Sequence, residues 1–411
     1  MQSPKSSMHG TVLVASGAIG AGMFSLPIVS AGMWFSWAAI GLCAIWLLNL
    51  YATLLLLESN LRFPAGASFD TLVGSTLGKS WNFINNIAIA FVMYILLYAY
   101  FSASGSIVEQ SYTAVLGSNN EIPQNQLGFL FGLLMAILVW LGTSLVTRIC
   151  LVLLLAMILS FLMSTSGLLL QIQLPNLIEG GPLSLSMTPY IWAALPYFVA
   201  SFACSGLVPS LVKYYGHQAT IVKKSLINGT LISFVVYLSW LAACYGNIGR
   251  EELAPIISAG GNMGDLSAAL QLNAKGSGLG KTLNLFSNFA IISSFLSIGL
   301  GLFDYIADRF KFKDSAVGRA KSAAITFIPP AAFSYFYPHG FIIAIGYAGL
   351  IVLFSFFIVP VVMAYTHRQN GEPLTYKVTG GVAVLGGILL ASVLLACFKI
   401  LGTFNLLPIY P

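Results

Sequence analysis

Uninterrupted apolar runs of about 20 residues recur from end to end of this chain, the length a helix needs to cross a bilayer. Hydrocarbon offers the backbone no hydrogen-bond partners, so a spanning chain satisfies its own N–H and C=O groups as helix or as closed barrel. The runs show no period-2 alternation, which excludes the barrel. Composition agrees: 58% of the 411 residues are hydrophobic and 7% charged, with a mean hydropathy of +0.88. That is too little charge to cover a water-facing surface of this size. The expected fold class is an all-α membrane protein of about eleven transmembrane helices.

Spans 1 to 11 are read at 10–32, 34–57, 85–108, 127–146, 149–171, 189–213, 225–246, 282–303, 319–337, 341–366 and 378–402. The connections 109–126, 172–188 and 247–281 are polar and rich in Gly, Asn or Pro, too hydrophilic to insert. With the N-terminus in the cytoplasm, fourteen of the 18 Lys and Arg fall on the cytoplasmic side, and Arg250, Lys275, Lys281 and Lys399 on the other. Positive charge marks the inner face, so the N-terminus is expected inside and the C-terminus outside. The leader Met1 to His9 is polar and no cleavage-site pattern follows it, so span 1 is expected to remain as its own insertion signal. Cys43, Cys150, Cys204, Cys244 and Cys397 all lie in apolar segments and read as small fillers, not a disulfide framework.

Two spans are poor continuous helix. Span 1 holds three glycines and a proline between Gly17 and Pro27, and span 6 runs from Pro196 to Pro209 through Ser201, Cys204, Ser205 and Gly206. Close packing through small residues would explain the glycines alone. The two spans correspond if spans 1–5 and 6–10 are repeats, and a repeat of five helices is inverted in the membrane. Interrupted helices at matching positions of inverted repeats point to the binding site of a secondary transporter. Half-helix N-termini suit a carboxylate and half-helix C-termini an ammonium. An α-amino acid carries both.

Several stretches together carry a resemblance: GAGMFSLP at 20–27, YILLYAYFSASGSI at 94–107, VPSLVKYYG at 208–216, GLFDYIADRF at 301–310, DSAVGR at 314–319, IGYAGL at 345–350 and FNLLPIY at 404–410. The chain resembles the bacterial tryptophan- and tyrosine-specific permeases of the hydroxy and aromatic amino acid permease family, within the amino acid–polyamine–organocation superfamily. The resemblance implies one transporter domain over 1–411 with a leucine-transporter-like fold: inverted repeats at about 10–171 and 189–366, then an extra helix at 378–402. It also implies a bacterial inner membrane, a functional monomer and import of Trp, Tyr or Phe. Carried over by position, the substrate carboxylate meets the backbone of Ala21, Gly22 and Met23. The ammonium meets carbonyls around Ala18, Ser201 and Phe202. The chain departs from the family at two places. Ser205 stands where members have a histidine, and Met157 where they have a lysine.

Tyr94, Leu97, Tyr98 and Phe101 share one face of span 3. Such a stripe is more often core or lipid contact; the functional reading stacks a ring on the substrate and turns a tyrosine hydroxyl to its carboxylate. Phe202, Phe295 and Tyr347 are further candidates. For a coupling ion, titratable residues at membrane depth come first, but Glu58, Glu109, Asp304, Asp308 and Lys213 sit at span ends, where solvation is expected. Sodium needs only oxygens. Ala290, Ser293 and Ser294 of span 8 are similar to the A-x-x-[ST]-[ST] sodium site of sodium-coupled members of this fold, with carbonyls of Ser16 and Ile19 as partners. The missing lysine at Met157 tips the balance from protons to sodium; the bland reading has both serines bonding back to their own helix.

No cofactor, nucleotide, nucleic acid or resident metal beyond sodium is expected. Residues 274–282 miss a phosphate loop because Lys275 replaces its first glycine. No catalytic constellation stands at depth, so the chain reads as a non-enzyme. A passive amino acid or small-solute channel is the alternative, and it would not saturate or concentrate its solute.

Overall fold

The computed structural model describes residues 6–116, 122–181, 183–273, 278–370 and 376–410. The first residues of the phosphate-loop near miss, 274–277, lie outside them. Among the described residues every regular element is helical. Nine of these helices are long and apolar enough to cross a membrane, and the pair Met8–Ala18 and Ala21–Val29, bent by 50°, makes a tenth.

The sequence predicts eleven such helices. The one that falls short is span 9, Ala316–Phe336, which is helical over the expected range but begins with Arg319 and Lys321. Of the two, Arg319 has local partners. Arg319 donates to the carbonyls of Trp140 (2.8 Å) and Val139 (3.1 Å) and pairs with Asp314. It thereby satisfies the last turn of span 4, whose terminal carbonyls have no partner within their own helix.

The other spans are Trp34–Asn60, Lys79–Leu116, Gln124–Leu141, Thr143–Leu169, Ala219–Asn247, Leu279–Arg309 and Val382–Thr403. Span 10 runs Phe341–Leu353 and Val359–Gln369 around a π turn at Phe354–Ile358. Most follow the apolar runs and overshoot them by a turn or two, because a helix continues past the hydrocarbon edge until a glycine or an extended residue stops it. Gly142, between spans 4 and 5, has φ +146°, a conformation that favours glycine. Span 8 packs along span 5, the first arm of span 1 along span 7, and span 10 against spans 3 and 6.

Two of the polar connections carry short helical pieces among the described residues. Between spans 7 and 8 the described residues form two short helices, Arg250–Ser258 and Met263–Asn273, the second lying against spans 3 and 8. Its approach is close: a Cβ on Gly264 would stand 2.5 Å from the carbonyl oxygen of Ser106.

One charged residue differs from expectation, and a second is buried at a span end. Glu58 is 1% exposed rather than solvated, and Lys399, near the end of span 11, is 6% exposed. For Glu58 the reason is a fork of charge-assisted bonds. Arg368 donates to both carboxylate oxygens at 2.8 and 2.7 Å, and the Val378 N–H donates at 2.7 Å.

Candidate functional site

The first arm of span 1, Met8–Ala18, stops where Ile19 and Gly20 become extended. A short 3₁₀ turn, Ala21–Phe24, then leads into the second arm, Ser25–Val29. Pro27 falls in the first turn of that arm, where a missing N–H costs nothing because no intrahelical acceptor is available for it. Span 6 follows the same rule. Ile191–Ser201 ends, Phe202 to Cys204 leave the helix, a 3₁₀ turn covers Ser205–Leu207, and Pro209 sits in the first turn of Val208–Tyr215.

A residue of span 7 joins the two breaks. The hydroxyl of Tyr237 donates to the carbonyl oxygens of Ala18 and Ser201, both at 2.6 Å. Ala18 ends the first arm of span 1 and Ser201 the first arm of span 6, so two half-helix C-termini converge on one donor. These are two of the three carbonyls expected to receive an ammonium. Phe202 sets its ring edge-on to Tyr237, with centroids 5.1 Å apart. About two turns further along the same span, Tyr245 donates to the carbonyl of Pro27 and shares a hydrogen bond with Ser30.

On the N-terminal side of the second arm, the N–H of Ala21 donates to Ser294 Oγ (3.1 Å) and that of Met23 to the carbonyl of Gly20. Gly22 lies between them, and a Cβ there would meet nothing within 4 Å. Gly20 differs, since a Cβ there would press on Ser294 Oγ at 2.8 Å. Two buried donors near the break have no partner among the described residues, Ser201 Oγ and Trp240 Nε1. Trp240 stands edge-on to Phe24 and to Phe286, which stack on each other. A buried donor left unpaired costs about 1–3 kcal/mol.

The structure thus brings together Ala18, Ala21, Gly22, Met23, Ser201, Phe202 and Ser294. Ser205 belongs to the break but faces span 2, where its hydroxyl meets that of Thr53 at 2.6 Å. Ser293 bonds back to the carbonyl of Ala290 at 3.1 Å and lies 3.9 Å from the sulfur of Met157 on span 5. The Ser16 hydroxyl also bonds back, to Leu13, and Ile19 is half-buried at the extended turn.

Four aromatic candidates stand elsewhere. Tyr94 and Tyr98 donate to the carbonyls of Ile325 and Tyr337 and, with Tyr347, line an apolar groove of about 930 Å³ among spans 3, 9 and 10. None of the break residues lines that groove. Phe295 is fully buried between Phe101, Phe131 and Phe327 as scaffold. The span 3 tyrosine on the side of the break is Tyr100, which lies beside Ser294. Tyr100, Tyr237, Thr53 and Trp240 were not singled out from the sequence. Polar-capable residues within otherwise apolar spans were the only available signal, and many scaffold residues share it.

Comparison with known proteins places this architecture. The model of the tryptophan/tyrosine permease family matches residues 3–399. The chain is 43% identical over 409 residues to a tryptophan-specific transport protein of Shigella flexneri, covering 100% of this chain and 98% of the relative. It is 38% identical over 413 residues to a low affinity tryptophan permease of Escherichia coli K12 (98% and 97% covered). To a tyrosine permease of Enterobacter agglomerans it is 37% identical over 408 residues (97% and 98% covered). These relatives are transport proteins and permeases by name, not enzymes. A multi-pass helical bundle with two facing helix breaks, matched along nearly its whole length, belongs to the tryptophan/tyrosine permease family.

Proposed function

We propose that this protein imports an aromatic amino acid, Trp, Tyr or Phe, across the bacterial inner membrane by cation symport, and that the paired breaks of spans 1 and 6 bind the amino acid. The observation that carries this reading is the convergence of the Ala18 and Ser201 carbonyls on one hydroxyl, beside open space at Gly22. An ammonium can share or replace the Tyr237 donor. A carboxylate fits the side of Gly22, near the N-terminus of the second arm, with the unpartnered Ser201 Oγ within the same break. Phe24, Trp240 and Phe286 offer ring faces and edges to an aromatic side chain. The names of the relatives favour tryptophan or tyrosine.

The matched interruptions support inverted repeats at about 10–171 and 189–366 with a single additional helix at 378–402, and the excess of Lys and Arg supports an N-terminus in the cytoplasm. For the ion we favour sodium at the junction of spans 1, 5 and 8. Met157 stands against Ser293 there, so a lysine at that position would reach the same spot and act as a built-in cation.

Reconstituted protein tests the whole reading. Proteoliposomes with an inward sodium gradient should concentrate labelled tryptophan, with competition from tyrosine or phenylalanine. Concentrative uptake on a pH gradient without sodium would overturn the sodium reading and leave the substrate site standing. Linear, non-saturating flux would overturn the transporter reading in favour of a channel.

A further inference from the structure

Lys399 lies four residues before the end of span 11, where a lysine ordinarily snorkels its ammonium to water. Here the side chain turns inward and is 6% exposed. Its Nζ donates to Tyr197 Oη at 3.1 Å. It rests over the rings of Tyr197 (4.6 Å) and Tyr347 (4.9 Å). Space for it comes from Gly346 on span 10, where a Cβ would stand 2.4 Å from Nζ. No carboxylate pairs with it among the described residues. An ammonium has three donors, and one hydroxyl and two ring faces leave its charge uncompensated in an apolar setting.

Lys399 and Tyr197 also form part of the wall of a cavity of about 100 Å³, with Ile28, Tyr190 and Tyr410 among the other lining residues and no Asp or Glu. A second cation stands behind that wall. The guanidinium of Arg250 lies 4.3 Å from the ring centre of Tyr410 and 5.9 Å from that of Tyr190. The cavity is thus walled by aromatic rings, with one ammonium and no carboxylate in its lining. It is well below the roughly 300–1,000 Å³ that encloses a drug-sized ligand, yet large enough for a small ion with its last waters.

We infer that this cavity is a binding site for a small monovalent anion, a halide or a short carboxylate, held by the Lys399 ammonium and the Tyr197 hydroxyl. Tyr197 accepts from Lys399, which leaves its own proton free to donate to the anion. The site lies at the end of spans 1 and 6 remote from the N-terminus, between the second arm of span 1 and the first arm of span 6.

Binding is read on purified protein without any transport assay, so the result stands apart from the identity of the carried solute. Thermal unfolding is followed in sodium chloride, sodium formate and sodium gluconate at equal ionic strength. Chloride should raise the midpoint saturably by roughly a few degrees over gluconate, which is too bulky for the cavity. Stabilisation by chloride alone assigns the site to halides, and stabilisation by formate as well assigns it to small anions generally; both support the site. Lys399→Met should abolish the difference between salts. Tyr197→Phe keeps the lysine and should raise the half-saturating chloride concentration several-fold, which decides the matter if the lysine variant does not fold. Equal midpoints in all three salts, or a chloride effect that survives in the variants, overturn the inference.

Discussion

Tyr237 has one proton and sits 2.6 Å from two carbonyl oxygens that belong to different spans. Its removal would leave both short of a donor at membrane depth while the ring stays packed on Phe202. Tyr237→Phe should therefore insert and fold but lose roughly tenfold or more in kcat/KM for uptake, at about 1–3 kcal/mol for the unmade bonds. Unchanged uptake kinetics in proteoliposomes would remove the hydroxyl from the site. Gly22 is the complementary case, since what matters there is the open space beside its backbone. Leucine at this position should fill the space intended for the carboxylate, so Gly22→Leu is expected to abolish transport with membrane insertion intact. Normal uptake by this variant would sink the site assignment.

At the scale of the element, an aromatic stripe shows which residues share a helix face and not where that face points. Span 3 illustrates this. Tyr94 and Tyr98 share the expected face, yet they hydrogen-bond to the region of span 9, whereas Tyr100 lies beside Ser294. Spans 5 and 8 pack along each other and bring Met157 against Ser293. Substituting lysine for Met157 should place an ammonium where the coupling cation is proposed to bind. The variant should take up substrate equally well with sodium or with choline outside, as measured by initial rates in proteoliposomes. Retained sodium dependence would mean that the ion binds elsewhere.

For the whole molecule, the Glu58–Arg368 pair ties the end of span 2 to the end of span 10, and through Val378 and Gly380 to the segment leading into span 11. Both partners are shielded, with side-chain exposures of 0% for Glu58 and 11% for Arg368. Removing one charge strands the other, at about 3–5 kcal/mol, whereas removing both costs much less. Arg368→Met alone should lower the melting temperature of the purified protein more than the double variant Glu58→Gln/Arg368→Met does. Additive losses would show that the pair is uncoupled.

The sequence by itself determined the class of the protein, the position of its spans to within a turn or two, and the two interruptions. Each is a local property. A helix satisfies its backbone within itself, hydropathy reports the solvent around it, and Gly20, Pro27, Ser201 and Pro209 act on their own neighbourhoods. Less legible was how each helix is turned about its axis and what it meets. Spans that are apolar nearly all round carry little rotational signal. Only the tertiary structure put Tyr237 between Ala18 and Ser201, set Ser205 on Thr53, and withdrew Phe295 into scaffold. It also buried Glu58, which looks solvated at its span end in the sequence, and Lys399, near the end of span 11. Burial of an ionisable group depends on partners hundreds of residues away: Arg368 for Glu58, and Tyr197 for Lys399. No local pattern encodes such partners, because they meet only when the spans pack.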